Sequence, residues 1–373
     1  MMSAHWYRVV NIAEVSSPAL LVYPDRVEEN TRRMVSLVGS VDRLRPHVKT
    51  HKIAEVVRLQ MRHGITRFKC ATIAEAEMTA AAGATDILIA YPLVGPNILR
   101  FIELIRTFPA TQFRAIADDA DAIRALSAAV VEFLPDRSVA VLLDIDCGMH
   151  RTGVAPGPEA QALYRLIASL PGLAPGGLHA YDGHISDSEV QVRKRRVEEA
   201  FAPVRAFHDA LLQEGLPVPR LLASSTPTFP IHAEHPDIEC TPGTAAFWDR
   251  GYQVKCPDLD FLHAALVLTR VVSKPGANRL CLDLGHKAIA AENPHPQRVH
   301  LLDIAEAVAV GQSEEHLVIE TPRAAEFPVG TPLYGIPWHI CPTVALYAEA
   351  VTVTDGHATG RWQIAARARK LTT

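Results

Sequence analysis

Two short stretches of this chain carry residue types that can do chemistry. The first is Leu44–Lys52, Leu-Arg-Pro-His-Val-Lys-Thr-His-Lys, which gathers Arg45, His47, Lys49, His51 and Lys52. In an extended strand successive side chains alternate faces, so Arg45, His47, Lys49 and His51 would share one side. Such a segment is either a solvated basic strand or a lysine held among other cations. In the second case like charges disfavour the ammonium form and leave an amine able to form a Schiff base. The other stretch is His339-Ile-Cys341, an imidazole and a sulfur on one face if extended. Both groups are good zinc ligands, and the same pair also serves as a core cysteine beside a hydrogen-bonded histidine.

The rest of the chain sets limits on that chemistry. It has 373 residues, 48% hydrophobic and 21% charged, with a formal net charge of -4. That is ordinary globular composition, long enough for two domains or one large barrel with an addition. No basic block points to nucleic acid. No apolar run reaches the roughly 18 residues of a membrane span. His5, Trp6, Tyr7 and Arg8 stand where a signal peptide would be apolar. The six cysteines are scattered without a C-x-x-C pair, which fits reduced thiols and a cytoplasmic location.

Strand and helix signals alternate through the first two thirds. Apolar runs at Ala19–Tyr23, Arg43–Val48, Phe68–Ala71, Asp86–Ala90, Gln112–Ile116, Val139–Ile145, Gly177–Tyr181 and Arg220–Ala223 read as strands. Amphipathic segments lie between them, and Thr72 with Glu75 forms a capping box for a helix at Ile73–Ala82. The pattern predicts an α/β fold: a (β/α)8 TIM-type barrel over residues 17–250. A doubly wound open sheet is the alternative. After about Pro242 alternating runs replace helices, so 251–373 read as a C-terminal β domain joined by the N-terminal segment 1–16. Leu302, Val308, Val310, Leu346, Val351 and Val353 are its expected inward residues.

A barrel carries its site at the C-terminal strand ends. The candidates there are Lys49, Cys70, Asp146 with Arg151, Tyr181 with Asp182 and His184, and Ser224–Thr228. This set resembles the fold-type III pyridoxal-phosphate enzymes with an alanine racemase-like barrel. More narrowly it is similar to the D-threonine aldolase and D-serine dehydratase family. Arg45–Lys52, Phe68–Ala76, Arg151-Thr-Gly153, Tyr181-Asp-Gly183, Ser225-Thr-Pro-Thr228, Pro242-Gly243 and His339–Thr343 fall in that family's order. The resemblance implies that Lys49 binds pyridoxal 5'-phosphate covalently, with Arg151 facing its ring hydroxyl and Tyr181 beside its ring. It implies phosphate binding by Ser225, Thr226, Gly243 and Thr244, although this chain has Ser224-Ser-Thr-Pro-Thr where many members are Gly-rich. It implies a divalent metal on His339 and Cys341. A cysteine there favours Zn²⁺, whereas the aspartate of D-threonine aldolases suits Mn²⁺ or Mg²⁺. His47 and His184 are further acid–base candidates.

The expected activity is a pyridoxal-phosphate- and metal-dependent lyase acting on a small D-3-hydroxy amino acid. β-Elimination of the D-serine or 3-hydroxy-D-aspartate dehydratase type is favoured, and the retro-aldol cleavage of D-threonine aldolase is the alternative. An amino-acid racemase would need a second base, for which Tyr334 and Tyr347 are out of motif. A non-catalytic cofactor carrier would not need the β domain. The resemblance also implies a homodimer, without nucleic-acid or membrane partners.

Overall fold

The computed structural model describes residues 5–373, so the first four residues of segment 1–16 lie outside the described residues. The chain divides into two compact units. One comprises residues 32–49, 54–243 and 368–373; the other comprises the described part of 1–31, with 50–53 and 244–367.

The first unit is built on seven parallel strands in sequence order: Arg67–Cys70, Asp86–Ile89, Gln112–Ala117, Val139–Ile145, Leu173–Ala180, Leu221–Ala223 and Ile238–Cys240. Leu88, Ile116, Leu142 and Leu222 pack together, so the strands surround a filled core. Local chemistry sets the helix starts. Thr72 Oγ1 accepts the Glu75 N–H at 3.1 Å and Glu75 Oε2 accepts the Ala71 N–H at 2.6 Å, opening the helix Ile73–Ala81. Asp119 accepts two amides of the helix Ala120–Phe133.

The ring is closed by an irregular eighth segment. Leu44 bridges Cys240 and His47 bridges Lys69, both in parallel sense. The Arg45 and His47 amides donate to Cys240 and Pro242, and Lys69 donates to Pro46. Two expectations are corrected here. Ala19–Val22 is a strand, but it is not part of this ring, and Ile238–Cys240 takes a place that the apolar pattern did not reveal. Alternation along 43–52 also fails, because Val48–Thr50 winds into a 3-10 turn.

Arg45 is fully buried, and its charge is taken up by two carboxylates. Its Nη1 pairs with Asp86 Oδ1 at 2.8 Å and its Nε with Glu239 Oε1. Arg114 holds the other Asp86 oxygen at 3.0 Å, and Arg220 the other Glu239 oxygen at 2.9 Å. These guanidinium groups hold the Asp86 carboxyl well below its usual range despite burial. Removing one partner leaves an uncompensated buried charge. Glu239→Ala is therefore expected to cost about 3–5 kcal/mol in denaturant unfolding.

The second unit is a mostly antiparallel sheet. Ala19–Val22 pairs antiparallel with Ala265–Gly276 and parallel with Glu349–Thr354. Periodicity shows that Ala19–Val22 is extended and apolar, but not which sheet it joins. Tyr7, Val9, Leu21, Leu266, Leu268 and Tyr334 form a core here. Val353 is buried, but Val308 and Val310 are 52% and 46% exposed, against expectation. Their strand, Val308–Gln312, is an edge paired on one side only and its register shifts between Ala309 and Gly311. Leu346, at 37% exposed, also points away from the core.

Candidate active site

In the barrel unit the site forms around the Tyr181 ring, directly after the strand Leu173–Ala180. Lys49 Nζ lies 5.5 Å from the ring centroid, Lys69 Nζ 5.3 Å and the Arg151 guanidinium carbon 5.2 Å. Sequence reasoning gave Lys49, Arg151 and Tyr181 but missed Lys69. It chose Cys70, the next residue, which faces outward with its sulfur 3.7 Å from Thr79 Oγ1. Lys69 is fully buried; it donates to Thr241 Oγ1 at 2.8 Å and lies 3.2 Å from His179 Nε2. His179 Nδ1 meets Asp144 Oδ1 at 2.6 Å. Burial, reinforced by the Lys49 charge, pushes the Lys69 amine down to about 7. Burial and Lys69 likewise lower His179, against the pull of Asp144.

Arg151 is left free to face Tyr181 because the nearby carboxylates are occupied. Asp144 accepts from Thr152 Oγ1 at 2.9 Å as well as bonding His179, and Asp146 binds His150 at 2.8 Å. Gly153 has φ +94°, and a Cβ there would stand 2.7 Å from the Asp146 amide, so only glycine fits the turn that presents Arg151.

The proposed phosphate turn is wired from within. The Ser225 N–H donates to Asp182 Oδ1 at 2.7 Å, and the Ser225 and Thr228 hydroxyls are 3.1 Å apart. Thr226 Oγ1 accepts the Gly243 N–H at 3.2 Å. Asp182 is buried and also meets His232 Nε2 at 2.7 Å. Burial disfavours its charge, but His232, Thr228 and the Ser225 amide outweigh that and lower its pKa. The turn is thus preorganised by Asp182. Thr244 belongs to the other unit, where its Oγ1 lies 3.6 Å from Cys341 Sγ.

Of the histidine candidates, His47 is buried on the closing segment with its amide spent on Pro242. His184 packs over Gly148, where a Cβ would approach its Nε2 to 2.9 Å, and its Nδ1 is buried without a hydrogen-bond partner among the described residues. His51 adds no charge to the lysine segment. It is buried against Phe247, accepts the Ile53 N–H at 3.1 Å, and burial lowers it to about 3.

In the β unit His339 and Cys341 do not lie on one extended face. His339 is the extended residue that opens the helix Ile340–Ala345, and Cys341 is in its first turn. Pro342 is tolerated in that turn because its amide would have had no partner in the helix. Asp249 Oδ2 caps the helix by accepting the Ile340 N–H at 3.1 Å. Thr50 Oγ1 lies 3.2 Å from Cys341 Sγ. His339 Nδ1 meets Glu292 Oε1 at 2.5 Å, which directs Nε2 toward other partners. Burial opposes the charged ring, but Cys341 and Glu292 raise His339 to about 9.

These side chains fit the implied cofactors. An amine, a ring and an arginine converge at Tyr181, as an anionic aromatic aldehyde requires. His339 and Cys341 supply the nitrogen and sulfur donors of a zinc-type site, with Glu292 orienting the imidazole from behind. Among the described residues no group of three or more His, Cys, Asp or Glu could hold a metal, so such an ion would keep positions open for water or substrate. Glu292→Gln is expected to weaken metal binding by about 10–100-fold, measured by competition with a chromophoric chelator.

The chain matches known families and proteins over most of its length. Residues 22–250 match the alanine racemase N-terminal domain, and residues 264–353 match a putative serine dehydratase domain. The chain is 30% identical to the D-threonine aldolase of Arthrobacter sp, over 95% of this chain and 94% of that one. It is 28% identical to the D-threo-3-hydroxyaspartate dehydratase of Delftia sp. (strain HT23), over 92% and 95%. The crystal structure of the D-threonine aldolase from Filomicrobium marinum superposes with a TM-score of 0.88 at 28% identity, covering 95% of this chain and 96% of that one. No helix among the described residues is long and apolar enough to cross a membrane. The paired matches over most of the chain place it in the D-threonine aldolase and D-serine dehydratase family of fold-type III pyridoxal-phosphate lyases.

Proposed function

We propose that this enzyme is a pyridoxal-phosphate- and metal-dependent lyase of D-3-hydroxy amino acids that works by β-elimination. The observation that carries the reading is Lys49 beside the Tyr181 ring in one unit, with the imidazole–sulfur pair His339 and Cys341 in the other. When bound, pyridoxal phosphate supplies an electron sink for charge developing at Cα. Lys49 would hold it, Arg151 and Tyr181 would orient its ring, and the hydroxyls of Ser225 and Thr226 would hold its phosphate. Lys49 would serve as the base that takes the Cα proton. His339 and Cys341 would hold a divalent ion, Zn²⁺ in preference to Mn²⁺ or Mg²⁺, which supplies a Lewis acid for the departing β-hydroxyl. Cys341 supports elimination over cleavage because a sulfur ligand selects the softer ion.

Retro-aldol cleavage is the second reading, supported by the D-threonine aldolase relatives. Racemisation has less support: the Tyr334 hydroxyl accepts the Val9 N–H at 3.2 Å and the Tyr347 hydroxyl donates to the Ala288 carbonyl at 2.6 Å. Both tyrosines are therefore held by structural bonds.

Product analysis decides between the two lyase reactions. D-Serine, D-threonine and D-threo-3-hydroxyaspartate are supplied with and without EDTA. Keto acid and ammonia, lost on chelation, support elimination; glycine and an aldehyde replace it with cleavage. Turnover indifferent to EDTA removes the metal from the proposal. We further propose a homodimer, as the family resemblance implies; light scattering of the loaded protein tests it.

A further inference from the structure

The turn Ser224-Ser-Thr-Pro-Thr228 has no glycine, yet it opens on a backbone that suits one. Ser224 has φ +93°, in the left-handed region that residues with a Cβ rarely adopt. It is fully buried and Thr241 grips it twice. The Thr241 N–H donates to Ser224 Oγ at 2.9 Å, and the Thr241 hydroxyl donates to the Ser224 carbonyl at 2.9 Å. The rest of the turn and the helix after it, Phe229–Ala233, close on one carboxylate. Asp182 Oδ1 accepts the Ser225 N–H at 2.7 Å and the Thr228 hydroxyl at 2.8 Å, and Asp182 Oδ2 meets His232 Nε2 at 2.7 Å. None of these four residues is more than 3% exposed.

The chemistry of each group fixes its part. A carboxylate only accepts, so His232 Nε2 is the donor. His232 Nδ1 is buried without a hydrogen-bond partner among the described residues, and the ring stands edge-on to Phe201, 4.8 Å between centroids. A second ring proton there would be buried without an acceptor, so the imidazole serves as a neutral donor. Its bond to one oxygen fixes the plane of the Asp182 carboxylate. The other oxygen then fixes Ser225 and Thr228.

We propose that Asp182 and His232 are positioning residues for cofactor selection: by holding Ser225–Thr228 in shape they let the turn favour a phosphorylated pyridoxal over the unphosphorylated one. This rests on the reading of Ser225 and Thr226 as the phosphate-holding residues. Asp182 is an acceptor, and the His232 proton is spent on it, so both act through the turn and not on the phosphate. Asp182 also follows Tyr181 directly in the chain. The same carboxylate thus ties the strand end that bears the ring of the site to the turn two elements away. A turn without glycine is held from outside, by Thr241 at its first residue and by Asp182 at its second and last.

The test compares pyridoxal 5'-phosphate with pyridoxal, the same aldehyde without its phosphate, on the full-length protein freed of cofactor. The visible band gives a dissociation constant for each. In the wild type the phosphate ester should bind more tightly. His232→Leu should narrow that ratio about tenfold or more, the scale of a hydrogen bond to a charged group, and leave pyridoxal affinity unchanged. His232→Gln, whose amide N–H can replace Nε2–H, should keep a ratio near the wild type. Thr228→Val removes the hydroxyl between Asp182 and Ser225; it should narrow the ratio too, and it gives the readout should the leucine variant not fold. Equal losses for both aldehydes, or a lower melting temperature with an unchanged ratio, overturn the proposal. Ser225→Ala separates it from the reading beneath it. If Ser225→Ala narrows the ratio and His232→Leu and Thr228→Val do not, the turn keeps the phosphate and the positioning role is rejected. If no variant narrows it, or the wild type binds both aldehydes alike, the phosphate assignment of the turn falls and the proposal with it.

Discussion

Lys49→Ala should abolish turnover and the visible absorption of bound pyridoxal phosphate while leaving the fold intact. Lys49 lies half-buried in a 3-10 turn, outside the packed core of the barrel. Its removal opens no large cavity and breaks none of the Arg45 ion pairs. The loss in rate should be at least about 10²–10⁴-fold, the scale for removing a positioned base. Losing the covalent anchor adds to that figure. Borohydride reduction of the wild type should fix the cofactor on the peptide containing Lys49, and the alanine variant should retain no label. Label on Lys69 in the wild type would transfer the anchoring role to the second amine at Tyr181.

His339→Ala and Cys341→Ser should give the second largest effect, separable from the first. Each removes one of two protein donors from a site with no third His, Cys, Asp or Glu among the described residues. Bound metal should fall to background, and turnover by about 10²-fold or more, the several kcal/mol that a Lewis acid contributes. Pyridoxal-phosphate absorption should persist, because Lys49, Tyr181 and Arg151 are untouched. Cys341→Asp should restore activity with Mn²⁺ in preference to Zn²⁺, since a carboxylate is a harder ligand than a thiolate. Full metal content in both single variants would place the ion elsewhere.

Local chemistry made much of this protein legible before the fold was known. The capping box of Thr72 and Glu75, the lysine segment and the His-x-Cys pair are all contained in short windows. What escaped depends on pairing across long sequence distances. Ala19–Val22 looks like any buried strand, and only its ladders with Ala265–Gly276 and Glu349–Thr354 assign it to the β unit. Arg45 looked like a neighbour for Lys49, but two distant carboxylates claim it. Lys69 was missed for a simpler reason. Strand alternation puts Lys69 and Cys70 on opposite faces, and choosing the wrong member of the pair hid the buried amine. A lysine inside an otherwise apolar parallel strand was the available signal.

The closing segment 44–47 has a consequence for how such enzymes diversify. Seven staves of the barrel are fixed by continuous ladders, but this one is fixed by two bridges and by the side chain of Arg45. Lys49 follows it directly. Substitutions at Asp86 or Glu239, which hold Arg45, are therefore expected to act on the mounting of Lys49. A change there is expected to alter the reach of Lys49 from the interior of the barrel while every residue around Tyr181 stays the same.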